Sequence, residues 1–152
     1  GYTRAHKGID FAAPIGTPFY AAGSGTVVKV VRNCKVGERR CNGGFGNYVL
    51  IRHTNNYSTE YAHISRVASN IKAGTKVKQG QTIAYVGHTG ITTGPHLHYG
   101  VVYNRERINP NRVKSLPSIK LIGKDLINFK KEVDKIDLYR LNIPNQNLRL
   151  KK

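Results

Sequence analysis

Asn47-Tyr48-Val49-Leu50-Ile51-Arg52-His53 and Tyr57-Ser58-Thr59-Glu60-Tyr61-Ala62-His63, joined through Thr54-Asn55-Asn56, decide the fold class. Both runs are rich in β-branched and aromatic residues, and Asn-Asn suits a tight turn, so the segment reads as a β-hairpin. The same pattern extends in both directions. Upstream, Pro18 to Ala22 is a short apolar run, and Thr26-Val27-Val28-Lys29-Val30-Val31 follows Gly23-Ser24-Gly25 and ends at Arg32-Asn33. Downstream, Lys78-Gln79-Gly80 separates Val77 from Thr82-Ile83-Ala84-Tyr85-Val86, and His96 to Tyr103 runs extended behind Gly94-Pro95. Short strands at this spacing, with no helical period before residue 110, predict a mostly β core, an antiparallel sheet or sandwich, over residues 1–115.

Composition shifts after Pro110. Leu116-Pro117-Ser118 reads as a linker into a tail over 116–152. There Leu126, Phe129, Val133, Ile136 and Tyr139/Arg140 recur every three or four residues, predicting a C-terminal amphipathic helix over 124–141 that Pro144 stops. A chain of 152 residues suits one domain with such an appendage.

The 25 Lys and Arg against 8 Asp and Glu give a net charge of +17, which implies polyanionic surroundings: nucleic acid, anionic lipid or a wall polymer. Nucleic acid is disfavoured, because single-strand binding needs a basic patch interleaved with exposed aromatics, and none is visible. No apolar run approaches ~18 residues, so no transmembrane segment is expected. The chain opens at Gly1 without Met or signal-peptide features, so an export signal or anchor is expected upstream. Nothing in the sequence bears on oligomeric state.

Cys34 and Cys41 sit in Cys-Lys-Val-Gly-Glu-Arg-Arg-Cys. A zinc knuckle would bring a second ligand pair, and none follows. Two readings remain: a disulfide closing a polar loop in an oxidising compartment, which is favoured, or two unpaired thiols in a reducing one.

The histidines at 6, 53, 63, 88, 96 and 98 are the most informative residues. His96 and His98 lie two apart on an expected strand and therefore share a face. By itself that pair fits an incidental arrangement as well as a site. His6-Lys7-Gly8-Ile9-Asp10 adds an imidazole and a carboxylate in an apolar stretch, where an acid either caps a turn or meets a cation or metal. Two His and one carboxylate around an open fourth position compose a catalytic rather than a structural zinc site. His63 ends its strand on the face of Tyr57, Thr59 and Tyr61, with Glu60 pointing the other way.

These residues carry a resemblance. His6-Lys7-Gly8-Ile9-Asp10, Gly16-Thr17-Pro18, Ala21-Ala22-Gly23-Ser24-Gly25, Gly46-Asn47-Tyr48-Val49, Tyr61-Ala62-His63, Val77-Lys78-Gln79-Gly80-Gln81 and Thr93-Gly94-Pro95-His96-Leu97-His98 resemble, in order, the blocks of the lysostaphin/LytM-type zinc metallopeptidases over about residues 3–113. The resemblance implies a zinc-dependent peptidoglycan endopeptidase. Its ligands would be His6, Asp10 and His98, with His63 and His96 acting beside the metal. His53 and His88 match no family role and are expected to be structural or merely exposed. The presence of all five site residues weighs against the alternative of a catalytically blocked wall-binding or hydrolase-activator domain. A family strand is expected upstream of Gly1, and the Cys34–Cys41 insertion is not a general family feature. The implied substrate is a peptide crosslink of the cell wall in the periplasm or cell envelope. D-alanyl–diaminopimelate bonds are favoured, since their free carboxylates suit cations such as Arg4, Lys7 and Arg105.

Overall fold

The computed structural model describes residues 7–113 and 123–141. His6, Arg4, the Leu116-Pro117-Ser118 linker and Pro144 lie outside the described residues. The chain divides into two units, within residues 1–113 and 114–152, and each is described by itself.

The first unit is built from antiparallel β-strands, as the patterning predicts. Seven strands form the larger sheet: β1 (Ile9–Ala12), β3 (Gly25–Val31), β4 (Tyr48–Arg52), β5 (Tyr57–Ala62), β7 (Lys76–Val77), β9 (His96–Tyr103) and β10 (Glu106–Ile108). Their order is β1-β9-β5-β4-β3-β7, and β10 pairs with the far end of β9. A smaller sheet holds β2 (Pro18–Tyr20), β8 (Thr82–Val86) and β6 (Ile64–Val67) in the order β2-β8-β6. The hairpin that opened the sequence reading is β4 and β5, with Asn55 and Asn56 both at positive φ in its turn. Among the described residues of this unit the helical turns are two short 3-10 turns, at Cys41–Gly44 and Pro110–Arg112.

Cross-strand register gives the larger sheet two different faces. Val49, Tyr61 and Tyr99 stand in one row, and Ile51, Thr59 and Val101 in the next. These rows face the smaller sheet, where Phe19 stacks on Tyr61 and Ile64, Ile83 and Val86 complete the core. Val27, Val49, Ile51, Ile64 and Ile83 are fully buried, each contributing about 1.5–3 kcal/mol of apolar burial. The opposite face carries the rows Leu50-Glu60-Gly100 and Ala62-His98-Asp10, and it is open.

The second unit contributes helix α1, Gly123–Leu141, over the span expected from its apolar period. Phe129 and Val133 on that stripe are exposed. No helix among the described residues is long and apolar enough to cross a membrane.

Cys34 and Cys41 form a disulfide, the favoured of the two pairing states. It closes the loop between β3 and β4, where Cys34 N–H donates to buried Asn47 Oδ1. Closing so short a loop restricts the unfolded chain by about 2–3 kcal/mol. Replacing both cysteines by alanine should lower the guanidinium unfolding free energy by about that amount. A reductant should produce the same loss in the parent protein and none in the variant.

Candidate functional site

Strand alternation delivers the first site residues. His96 and His98 are two apart on β9 and share the open face. The register between β1 and β9 sets Asp10 opposite His98 and Ala12 opposite His96. Asp10 Oδ1 consequently lies 2.9 Å from His98 Nδ1 and 3.7 Å from His96 Nε2. Gly8 is required beside them, since a Cβ there would collide with the His98 ring and come within 2.9 Å of the Tyr99 carbonyl oxygen.

His63 reaches the same place by a different route, and here the sequence reading needs correction. Strict alternation would put its side chain with Tyr57, Thr59 and Tyr61 and leave Glu60 on the other face. In the structure His63 adopts a left-handed φ of 59° between β5 and β6. A left-handed residue interrupts the period of two. Tyr61 therefore stays in the core, while His63 and Glu60 both line the open groove. The imidazole of His63 lies 4.7 Å from that of His96 and 6.0 Å from that of His98, centroid to centroid.

Loop carbonyls fix both rings. His63 Nδ1 is 2.8 Å from Thr89 O, and His96 Nδ1 is 2.9 Å from Gly94 O. A carbonyl only accepts, so each Nδ1 carries a proton and donates it. Burial pushes the His63 pKa down to about 4, with the neighbouring His96 and His98 acting in the same direction. At neutral pH His63 is therefore uncharged, and its Nε2 holds a lone pair. His53 bonds the Ser24 carbonyl and the Thr59 hydroxyl, a structural role. His88 Nδ1 is 2.6 Å from Thr92 Oγ1, whose hydroxyl donates to the carbonyl that orients His96.

The groove, about 1640 Å³ in volume, is also lined by Glu60, Tyr48, Arg107 and Phe45, which the sequence reading does not place in the site. Glu60 is completely buried, yet its carboxylate accepts from Tyr48 Oη at 2.8 Å, Arg107 Nε at 2.6 Å and Arg107 Nη2 at 3.1 Å. Burial, then the adjacent carboxylate, push the Tyr48 hydroxyl pKa up. Gly100 makes room for this carboxylate: a Cβ there would stand 2.5 Å from Glu60 Oε1. Phe45 packs its ring against His98 and Tyr48, and its carbonyl accepts from His63 N–H.

A carboxylate oxygen and an imidazole nitrogen facing each other at 2.9 Å, beside an open groove, form an O/N donor set suited to zinc. Among the described residues no three ligating side chains close around one point. The third expected ligand, His6, lies outside them.

Residues 4–110 match Peptidase family M23. The chain is similar to the peptidoglycan DD-endopeptidase ShyC of Vibrio cholerae, at 43% identity over 143 residues, 91% of this chain. It spans 30% of the length of ShyC. A zinc containing peptidase from Vibrio cholerae superposes with a TM-score of 0.58 and 39% identity, covering 68% of this chain and 29% of the other. The catalytic domain of lysostaphin from Staphylococcus simulans superposes with a TM-score of 0.58 and 33% identity over 70% of this chain and 76% of that domain.

The buried carboxylate yields a stability prediction. Arg107→Ala leaves Glu60 without its counter-ion and should cost about 2–4 kcal/mol. The Glu60→Gln/Arg107→Gln double variant removes both charges together and should cost clearly less. Denaturant unfolding of the two variants checks the order.

Proposed function

The chain belongs to peptidase family M23, and from that premise we propose that it is a zinc-dependent endopeptidase of peptidoglycan peptide crosslinks. Residues 1–115 form its catalytic domain in this reading, and 116–152 a tail outside the chemistry. The observation that carries the proposal is the convergence of Asp10, His63, His96 and His98 at one groove. They come from three places in the chain, β1, the junction of β5 and β6, and β9, and each lies in a block that resembles the family pattern.

Asp10 and His98 would hold the metal together with His6. The donor set fits zinc, which when bound supplies a Lewis acid that polarises a carbonyl and acidifies water. His63 and His96 supply the proton-transfer groups. With each Nδ1–H committed to a loop carbonyl, each ring turns its Nε2 away from that loop, and His96 Nε2 faces the Asp10 carboxylate. One imidazole can accept a proton from the attacking water while the other donates to the developing oxyanion or the leaving amine. Fixed ring orientation removes the entropy of finding that geometry.

For the crosslink we favour D-alanyl–diaminopimelate. Lys7, Arg39, Arg52, Arg105 and Arg107 line the groove, and free carboxylates on such a peptide match them, whereas a glycine bridge offers no side-chain charge. Action on wall peptides and the Cys34–Cys41 disulfide both support a location outside the cytoplasm, and we assign the periplasm.

Purified protein should contain one zinc ion, and Asp10→Ala should lose zinc and activity together. His63→Ala and His96→Ala should retain zinc yet fall roughly 10²–10⁴-fold in rate. Zinc content by metal analysis and crosslink hydrolysis by mass spectrometry check both; full zinc retention in Asp10→Ala would overturn the ligand assignment. In one buffer, a diaminopimelate-crosslinked dimer should be cut faster than a pentaglycine-bridged dimer. The reverse preference would overturn the choice of crosslink alone.

A further inference from the structure

Among the described cations of the groove, Lys7, Arg39, Arg52 and Arg105 make no side-chain hydrogen bond, and Arg107 makes two. The Arg107 guanidinium is clamped to Glu60 through Nε and Nη2, and its Cζ lies 4.9 Å over the Phe45 ring. The clamp is itself fixed: Glu60 is fully buried, is held by Tyr48, and occupies the space left by Gly100. The arginine side chain is nevertheless 46% exposed, and its Nη1 makes no hydrogen bond among the described residues. A guanidinium held in one orientation, with donors left over at a groove, is preorganised for a planar oxyanion.

We infer that Arg107 is a specificity-determining residue that recognises the free carboxylate borne by the carbon attached to the scissile nitrogen, an inference resting on the endopeptidase reading above. Position supports the choice. Arg107 and His98 both contact the Phe45 ring, whose centroid lies 4.9 Å from the guanidinium carbon and 5.3 Å from the imidazole centroid. In a D-alanyl–diaminopimelate crosslink the carbon that carries the scissile nitrogen also carries a carboxylate, so that group sits close beside the reacting carbonyl. A glycine bridge has no carboxylate there. Charge supports it as well. Glu60 already neutralises Arg107, so its contribution is a directional pair of N–H donors at contact rather than long-range attraction. The exposed lysine and arginines supply the attraction, and Arg107 supplies the fit.

The test uses one chemical change on the ligand and a matched change on the protein. The ligand is the diaminopimelate tripeptide released by hydrolysis, as free acid and as the amide at that carboxyl, titrated calorimetrically into the full-length zinc protein. The parent protein should bind the acid about tenfold more tightly than the amide. Glu60→Gln/Arg107→Gln and, separately, Arg107→Lys should bind the two within about twofold, because lysine keeps the charge facing Glu60 and loses the planar fork. Equal binding by the parent, or an unchanged preference in either folded variant, would overturn the assignment. Hydrolysis of the crosslinked dimer as acid and as amide separates this inference from the reading beneath it. A parent that cuts both dimers equally well upholds the endopeptidase and overturns Arg107. A parent that binds the acid selectively and cuts neither upholds Arg107 and overturns the endopeptidase.

Discussion

The register of β9 between β1 and β5 is the constraint on which the site depends. Alternation along β9 assigns His96, His98, Gly100 and Val102 to the groove and Leu97, Tyr99 and Val101 to the core. β1 then supplies Asp10 across from His98, and β5 supplies Glu60 across from Gly100 and Ala62 across from His98. Gly100 stands where a Cβ would fill the space of the Glu60 carboxylate. A slip of one residue would exchange His98 for Tyr99 and drive imidazoles into the apolar interior. Tyr99 resists that slip from the other side, because it packs against Tyr61, which is stacked on Phe19 and donated to by the Thr59 hydroxyl. The hydrophobic core thus sets the position of the polar groove one pleat away.

Much of this was legible in the sequence because it follows from periods. The β4–β5 hairpin, the shared face of His96 and His98 and the span of α1 all rest on alternation or on the helical repeat. The cross-chain convergence came instead from ordered motif blocks, since no local rule brings residue 10 to residue 98. What local reading lost was of two kinds. His63 fell on the wrong face because a non-glycine residue in left-handed backbone is invisible to a pattern of two. Alternation puts Glu60 on the face opposite Tyr61, and that face is the one that carries the groove. A signal existed: an acid inside a strand of aromatic and β-branched residues requires a counter-ion, and Arg107, with Glu106 and Ile108 in the closing strand, was the available partner. The partnership itself could be found only from the pairing of β10 with β9.

The side chains of the groove are held in two ways, by the sheet and by the loops. Asp10 and His98 stand on paired strands: β9 is paired on both sides, by β1 and by β5, and β1 is paired with β9, which leaves their backbones little freedom. His63 and His96 are aimed by carbonyls of Thr89 and Gly94, which belong to the loop between β8 and β9. That loop is in turn tied to the disulfide-closed loop: Gly37 N–H donates to Gly90 O, Gly90 N–H donates to Lys35 O, and Ile91 N–H donates to Gly44 O.

Phe45 stands at the end of this chain of contacts and gathers it into the site. Its backbone carbonyl accepts from His63 N–H, and its ring contacts both the His98 imidazole and the Arg107 guanidinium. An aromatic ring suits that place physically, since its face attracts the guanidinium. The covalent clip at Cys34–Cys41 therefore does more than restrict the unfolded chain. It closes part of the β3–β4 loop, and the same loop carries Phe45, whose ring contacts both the His98 imidazole and the Arg107 guanidinium.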